Sequence, residues 1–286
     1  MNTIIIDGKE IASSVYAKIQ SKLKDGEHPS LAVVLVGDDP ASKSYVAGKR
    51  KALADNGFID KTIELPETIS EESLIDTIKH LNEDPLVNGI LVQLPLPKKF
   101  NESKVIQSIA PSKDVDGLTY KNIGLMTSGS PYYVPCTAEG VLSILDYNHI
   151  STEGKVVTII GRSDLVGRPL SILLSSKPYN STVTLCHSKT KDIKKFTLES
   201  DIVIVAVGKP NMLTADMIKE GAVVIDVGVN RVEDSTKKSG FRLVGDTDFN
   251  NLIGKASYIT KTPGGTGPMT IASLMYNTYL SFATTK

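Results

Sequence analysis

The feature that most constrains this chain is the β-branched run Val156-Val157-Thr158-Ile159-Ile160, which stops on the segment Gly161-Arg162-Ser163-Asp164-Leu165-Val166-Gly167. Val, Ile and Thr are stiff at χ1 and favour extended backbone. A nearly continuous apolar strand is one covered on both faces, as in a parallel sheet. The pattern turns helical from about Leu165, so strand, glycine turn and helix follow in order. That order demands an α/β fold, and it is where helix-start amides can face a pyrophosphate. In this reading Gly161 allows the tight turn and Gly167 lets helix and strand approach closely. The segment falls short of a full GxGxxG pattern, so an ordinary βα turn stays open on the motif alone.

The rest of the chain repeats the rhythm. Strand-like runs at 31–36, 61–65 and 89–94 alternate with helix-like runs at 41–56 and 71–82 in the first half. Strands at 182–186, 202–206 and 222–227 follow in the second. Alternation of this kind implies βαβ units and parallel sheets. Between Pro111 and Pro135 the periodicity lapses into Pro, Gly, Ser and Tyr, after which Thr137 reads as the cap of a helix to about Tyr147. The expectation is two α/β domains: residues 1–135 plus 268–286, with a short N-terminal strand followed by a turn and with a last helix returning to them, and 136–267, a Rossmann-like doubly wound parallel sheet.

Charge excludes several functions. Lys plus Arg and Asp plus Glu each total 32, so no global excess steers the chain to nucleic acid or an anionic membrane. The two cysteines form no CxxC pair and the four histidines no ligand spacing, which excludes a disulfide scaffold and a metal site and points to a reducing compartment. The start has no basic region or long apolar core of a signal peptide, and no apolar run reaches the roughly 18 residues of a spanning helix. A soluble cytoplasmic enzyme is expected.

Four places could carry chemistry. The second strand of the glycine-turn domain ends in Cys186-His187-Ser188-Lys189, without the carboxylate that would hold ribose hydroxyls and repel a 2′-phosphate. With Arg162 nearby, that corner suits NADP better than NAD, although taken singly Arg162 and Lys189 read equally well as surface charge. Tyr45 and Lys49 lie one turn apart on one helix face, where a phenol and an amine could hold a water and move a proton. On spacing alone, Lys49-Arg50-Lys51 is more simply a solvated face. Asp114 and Asp116 are turn-forming acids; a carboxylate here could also accept two parallel hydrogen bonds from an amidine-like ring edge, as in a pterin. The loop Thr262-Pro263-Gly264-Gly265-Thr266-Gly267-Pro268 leaves backbone bare for ligand approach, or serves as a hinge.

Taken together, Ser44 to Lys51, Gly89 to Pro97, Lys113 to Leu118, Pro135-Cys136-Thr137, Gly161 to Pro169 and Pro263 to Thr270 resemble the bifunctional methylenetetrahydrofolate dehydrogenase/cyclohydrolase family over nearly the whole chain. The resemblance implies oxidation of 5,10-methylenetetrahydrofolate by NADP, hydrolysis of the methenyl cation to 10-formyltetrahydrofolate, and a place in one-carbon metabolism and purine biosynthesis. It also implies a homodimer formed through the second domain and an active site in the cleft between the domains. Carried over residue by residue, Lys49 resembles the cyclohydrolase lysine, Tyr45 the ring stacked on folate, Gln93 the amide that tunes the lysine, and Asp116 the pterin-binding carboxylate. Gly161, Arg162, Ser163, Ser188 and Val229 match NADP-contacting positions, and Pro263, Gly264 and Gly265 match the loop that borders folate.

The chain departs from the family in that loop. Lys261, Thr262 and Thr266 stand where the family has proline and two valines, which bears on folate affinity and loop rigidity. A dehydrogenase-only relative would lack the helix lysine. A non-catalytic NADP-binding redox sensor would need neither Gln93 nor Asp116.

Overall fold

A computed structural model of the chain describes residues 2–237 and 240–285. The strands are β1 (Ile4–Ile6), β2 (Ser30–Val36), β3 (Ile59–Asp60), β4 (Ile63–Leu65), β5 (Gly89–Val92), β6 (Val156–Ile160), β7 (Thr182–Cys186), β8 (Ile202–Val205), β9 (Val223–Asp226), β10 (Asn230–Glu233), β11 (Phe241–Val244) and β12 (Tyr258–Thr260). The helices are α1 (Gly8–Gln20), α2 (Pro40–Asp55), α3 (Glu71–Glu83), α4 (Glu102–Ile106), α5 (Tyr120–Thr127), α6 (Cys136–Tyr147), α7 (Gly167–Ser175), α8 (Ile193–Glu199), α9 (Phe249–Leu252) and α10 (Thr266–Thr284). They form two compact units, one of Met1–Ser13 with Thr137–Thr270 and one of Ser14–Cys136 with Ile271–Lys286.

In the unit of Ser14–Cys136, β2 is the centre of a four-stranded parallel sheet, with β3 and β4 along one edge and β5 along the other. All seven residues of β2 are buried, and its alternation sorts them onto two faces. Leu31, Val33 and Leu35 join Ile19, Val46, Leu53, Leu274 and Met275 in one core. Ala32, Val34 and Val36 join Leu74, Ile78, Leu81 and Val105 in the other. A parallel sheet needs this double cover, and each buried Val, Leu, Ile or Met side chain contributes about 1.5–3 kcal/mol. The last helix returns here: the Ser281 hydroxyl donates to the Asn88 carbonyl at 2.6 Å.

The other unit holds a six-stranded parallel sheet in the order β1-β12-β9-β8-β6-β7. The chain passes from β6 to β7 on one side and back to β8 on the other, so the topological switch lies at the carboxyl end of β6, where α/β sheets bind ligands. Ile160, Val203, Val205, Val224, Leu252 and Ile259 form a core on one face of this sheet.

Three expectations need correction. Residues 1–13 were expected in the first domain, yet β1 pairs in register with β12, Ile4 with Tyr258 and Ile6 with Thr260, because the open edge of β12 supplies the backbone partners a three-residue strand lacks alone. The turn expected after that strand is instead the start of α1. The aperiodic stretch from Pro111 contains α5, capped by the Thr119 side chain and too short to display an apolar period.

Candidate active site

Helix α2 is set by Asp39, whose carboxylate accepts from the Ser42 amide at 2.7 Å, with Pro40 in the first turn. Val46 and Leu53 bury the inner face, which turns Tyr45 and Lys49 to one side of it. Tyr45 is 48% exposed. The Lys49 amino group donates to Oε1 of Gln93 at 2.7 Å. Gln93 directly follows β5, and its Nε2 donates to the Leu94 carbonyl at 2.6 Å. With its donor engaged there, the amide presents its only acceptor to the lysine.

Burial pushes the Lys49 amine below its ordinary value, while the negative charge of Asp116 pulls it back up. Burial pushes the Asp116 carboxyl up, opposed by Lys49. The loop carrying Asp116 is fixed by its neighbour: Asp114 accepts from the Thr119 amide at 2.7 Å and from Asn122 Nδ2 at 2.8 Å. Of the two acids, Asp114 is therefore the one that builds the turn. Behind them lie residues that sequence reasoning did not assign. The Cys136 thiol donates to the Val115 carbonyl at 3.3 Å, and Asn277 Nδ2 donates to the Val115 and Val134 carbonyls at 2.9 and 3.0 Å. Burial and the Asp116 charge hold the thiol well above its usual range, so it stays protonated. The motif Pro135-Cys136-Thr137 was the one available signal for Cys136; Asn277 had none.

In the other unit, a Cβ on Gly161 would lie 2.2 Å from the Ala206 carbonyl oxygen, and one on Gly167 would lie 1.9 Å from the Gly161 oxygen. Gly161 also has φ +122°, so neither position accepts a side chain. The Ser163 hydroxyl accepts from the Val166 amide at 3.2 Å where α7 begins. Ile160 and Cys186 are register partners, which places Arg162 and Ser188 each two residues beyond paired strand ends. Both are exposed, and no acid lies between Cys186 and Lys191. Val229 is also exposed, beyond the end of β9. A glycine turn closed to its steric limit beside Arg162 and Ser188 fits a dinucleotide with a 2′-phosphate.

Two buried acids at the same sheet end also escaped sequence reasoning. Asp226 accepts from the amides of Gly228, Asp246 and Thr247 and from the Thr247 hydroxyl, at 2.7–3.0 Å. Asp246 accepts from the amides of Val207, Gly208 and Lys209 and from Asn230 Nδ2, at 2.7–3.0 Å. Through them the loops after β8 and β9 are fixed to the segment after β11. The strand ending in Asp226 was legible, but not the partners of its carboxylate.

Pro263, Gly264 and Gly265 belong to this second unit, in the loop between β12 and α10. Gly264 has φ +102°, and its carbonyl accepts from the Gly8 amide at 2.9 Å. Tyr45, Lys49, Gln93 and Asp116 thus gather in one unit, and the glycine loop and the Gly161 corner in the other. Among the described residues there is no group of three or more His, Cys, Asp or Glu able to hold a metal ion.

Comparison with known proteins finds two family models along the chain. Residues 6–116 match the family model described as the tetrahydrofolate dehydrogenase/cyclohydrolase catalytic domain, and residues 135–286 match that of its NAD(P)-binding domain. The bifunctional protein FolD of Cytophaga hutchinsonii is 48% identical over 281 residues, covering 96% of this chain and 97% of its own. The crystal structure of the Campylobacter jejuni bifunctional dehydrogenase/cyclohydrolase superposes with a TM-score of 0.92 at 42% identity, covering 99% of each chain. The Trypanosoma brucei enzyme, solved with NADP cofactor and inhibitor, superposes with a TM-score of 0.94 at 36% identity, covering 99% of this chain and 98% of its own.

Proposed function

The chain belongs to the tetrahydrofolate dehydrogenase/cyclohydrolase family, and from that premise we propose how its residues oxidise 5,10-methylenetetrahydrofolate with NADP and hydrolyse the methenyl product to 10-formyltetrahydrofolate. The observation that carries the reading is the 2.7 Å hydrogen bond from Lys49 to Gln93, with the Asp116 charge felt by the same amine. Bound NADP supplies a hydride acceptor. Arg162 and Ser188 donate to its 2′-phosphate, while Gly161, Ser163 and Val229 leave room for the dinucleotide backbone. Asp116 accepts two parallel hydrogen bonds from the amidine-like pterin edge, Tyr45 stacks on the folate, and Pro263, Gly264 and Gly265 border it.

The methenyl carbon is already electrophilic, so hydrolysis requires only that water lose a proton as it adds. Lys49 takes that proton on Nζ, which requires its neutral form. Burial favours that form, and Gln93 Oε1 fixes the direction of one N–H and thereby of the lone pair. The carbon–nitrogen bond to the pterin then breaks and that nitrogen is protonated, leaving the formyl group on the other nitrogen.

We assign folate binding and the proton-transfer step to the unit of Ser14–Cys136 with Ile271–Lys286, and NADP binding to the other unit. Two copies pair through the second unit; β7 supports this, being an edge strand with Val183 and Leu185 only partly covered. The protein works in the cytoplasm, supported by two free cysteines, and its product supplies one-carbon units for purine biosynthesis. No described helix is long and apolar enough to cross a membrane.

The test is to incubate the protein with methylenetetrahydrofolate and either NADP or NAD. Methenyl absorbance should rise faster with NADP and then decay. No rise with either cofactor would refute the dehydrogenase, and a rise without enzyme-dependent decay would refute the hydrolysis.

A further inference from the structure

The glycine loop is tied to the start of the chain. β1 and β12 run in parallel to the pair Ile6 and Thr260, so Asp7-Gly8 and Lys261-Thr262 leave the sheet side by side. The Lys261 amino group then meets Oδ2 of Asp7 at 2.6 Å, joining residues 254 positions apart. The lysine stem passes beneath the loop, its Cε lying 3.2 Å from where a Cβ on Gly264 would stand. A Cβ on Gly8 would lie 1.7 Å from the Gly265 oxygen, so the backbones touch beside the ion pair. The other two departures from the family pattern are anchored on this side as well: the Thr266 hydroxyl donates to the Asp226 carbonyl at 3.1 Å and the Thr262 hydroxyl to the Gly228 carbonyl at 3.5 Å.

We infer that Lys261 and Asp7 form a clasp that sets the conformation of the Pro263-Gly264-Gly265 loop for folate, replacing the stiffness of the proline found at position 261 in the family. The inference rests on the reading that this loop borders folate. Both residues are positioning residues. Each side chain is 39% exposed, so the pair is screened and its effect is a few-fold one on the loop rather than a large term in global stability. For the same reason its influence weakens as salt rises.

The test uses the full-length protein and the variants Lys261→Met, Asp7→Asn, Lys261→Arg and the exchanged pair Asp7→Lys with Lys261→Asp. In Lys261→Met and Asp7→Asn, KM for methylenetetrahydrofolate should rise about 2- to 5-fold, the range for a screened pair, with KM for NADP unchanged. Hydrogen exchange at the amides of Gly264 and Gly265 should quicken in both. Lys261→Arg should behave as wild type, and the exchanged pair should recover most of the loss. Wild-type folate KM and wild-type exchange in both single variants would overturn the clasp, as would an equal rise in the NADP KM. Calorimetry on the wild type separates the two claims: no folate binding there defeats the reading of the loop, whereas folate binding that Lys261→Met leaves unchanged defeats only the clasp.

Discussion

The amino group of Lys49 and the side-chain amide of Gln93 stand 2.7 Å apart, joining α2 to the end of β5 across 44 residues of chain. Because the acceptor is an uncharged amide, it directs the amine without stabilising its ammonium as a carboxylate would. Hydrolysis should therefore rise as pH climbs through the lowered Lys49 pKa and fall below it, where the base is protonated. Gln93→Glu places an anion at the same distance, favours the ammonium, and should move the rising limb to higher pH. At any pH on the acid side of the limb, each pH unit of movement should lower the rate about tenfold. A pH–rate profile of methenyl decay, corrected for the buffer rate, measures this; an unmoved limb would mean that Lys49 is not the titrating base.

Arg162 and Ser188 stand beyond register-paired strand ends, with no acid between Cys186 and Lys191. Removing the guanidinium in Arg162→Ala should weaken NADP by about 10- to 100-fold, the range for a charge-assisted hydrogen bond, while leaving NAD nearly unaffected. Calorimetric titration with both dinucleotides checks it. Equal losses for the two would place Arg162 away from the 2′-phosphate.

Gly161→Ala would push a methyl to 2.2 Å from the Ala206 oxygen at φ +122°. It should cost about 2–3 kcal/mol, lower the thermal midpoint by several degrees and abolish NADP binding. Gly124, inside α5 with open space around it, is the control: Gly124→Ala should be neutral or slightly stabilising. Equal melting of the two variants would contradict the steric account.

Asp246 holds three loop amides and the Asn230 side chain. Asp246→Ala strips them of their acceptor, at a cost of about 1–3 kcal/mol per buried donor left unpaired. NADP affinity should drop at least about tenfold, while methenyl hydrolysis, which draws on residues of the other unit, persists. Loss of hydrolysis in equal measure would show general unfolding instead.

Much of this was legible in the sequence for a physical reason. β2, β5, β6, β8 and β9 are apolar because they are covered on both faces, and the steric closure at Gly161 is written in the strand that precedes it. Lys49 and Gln93 occupy a helix face and a strand end that periodicity can locate, whereas Asp116 lies in the aperiodic stretch and stood out only through its turn and the family resemblance. What stayed hidden depends on partners distant in the chain. β1 is three residues long and takes its place from β12; Asp226 looks like an ordinary strand-end acid and Asp246 like an ordinary loop acid until the amides around them are seen; Lys261 reads as a departure until Asp7 meets it. The aperiodic segment after Pro111 hid α5, whose eight residues complete only two turns.

The central claim is that Lys49 is the base of the second reaction and is dispensable in the first. Progress curves of Lys49→Ala with methylenetetrahydrofolate and NADP test it most directly. Methenyl absorbance should still rise, at a reduced rate, and then persist, because hydrolysis falls by about 10²- to 10⁴-fold when a general base is removed. Decay at the wild-type rate in that variant would contradict the account.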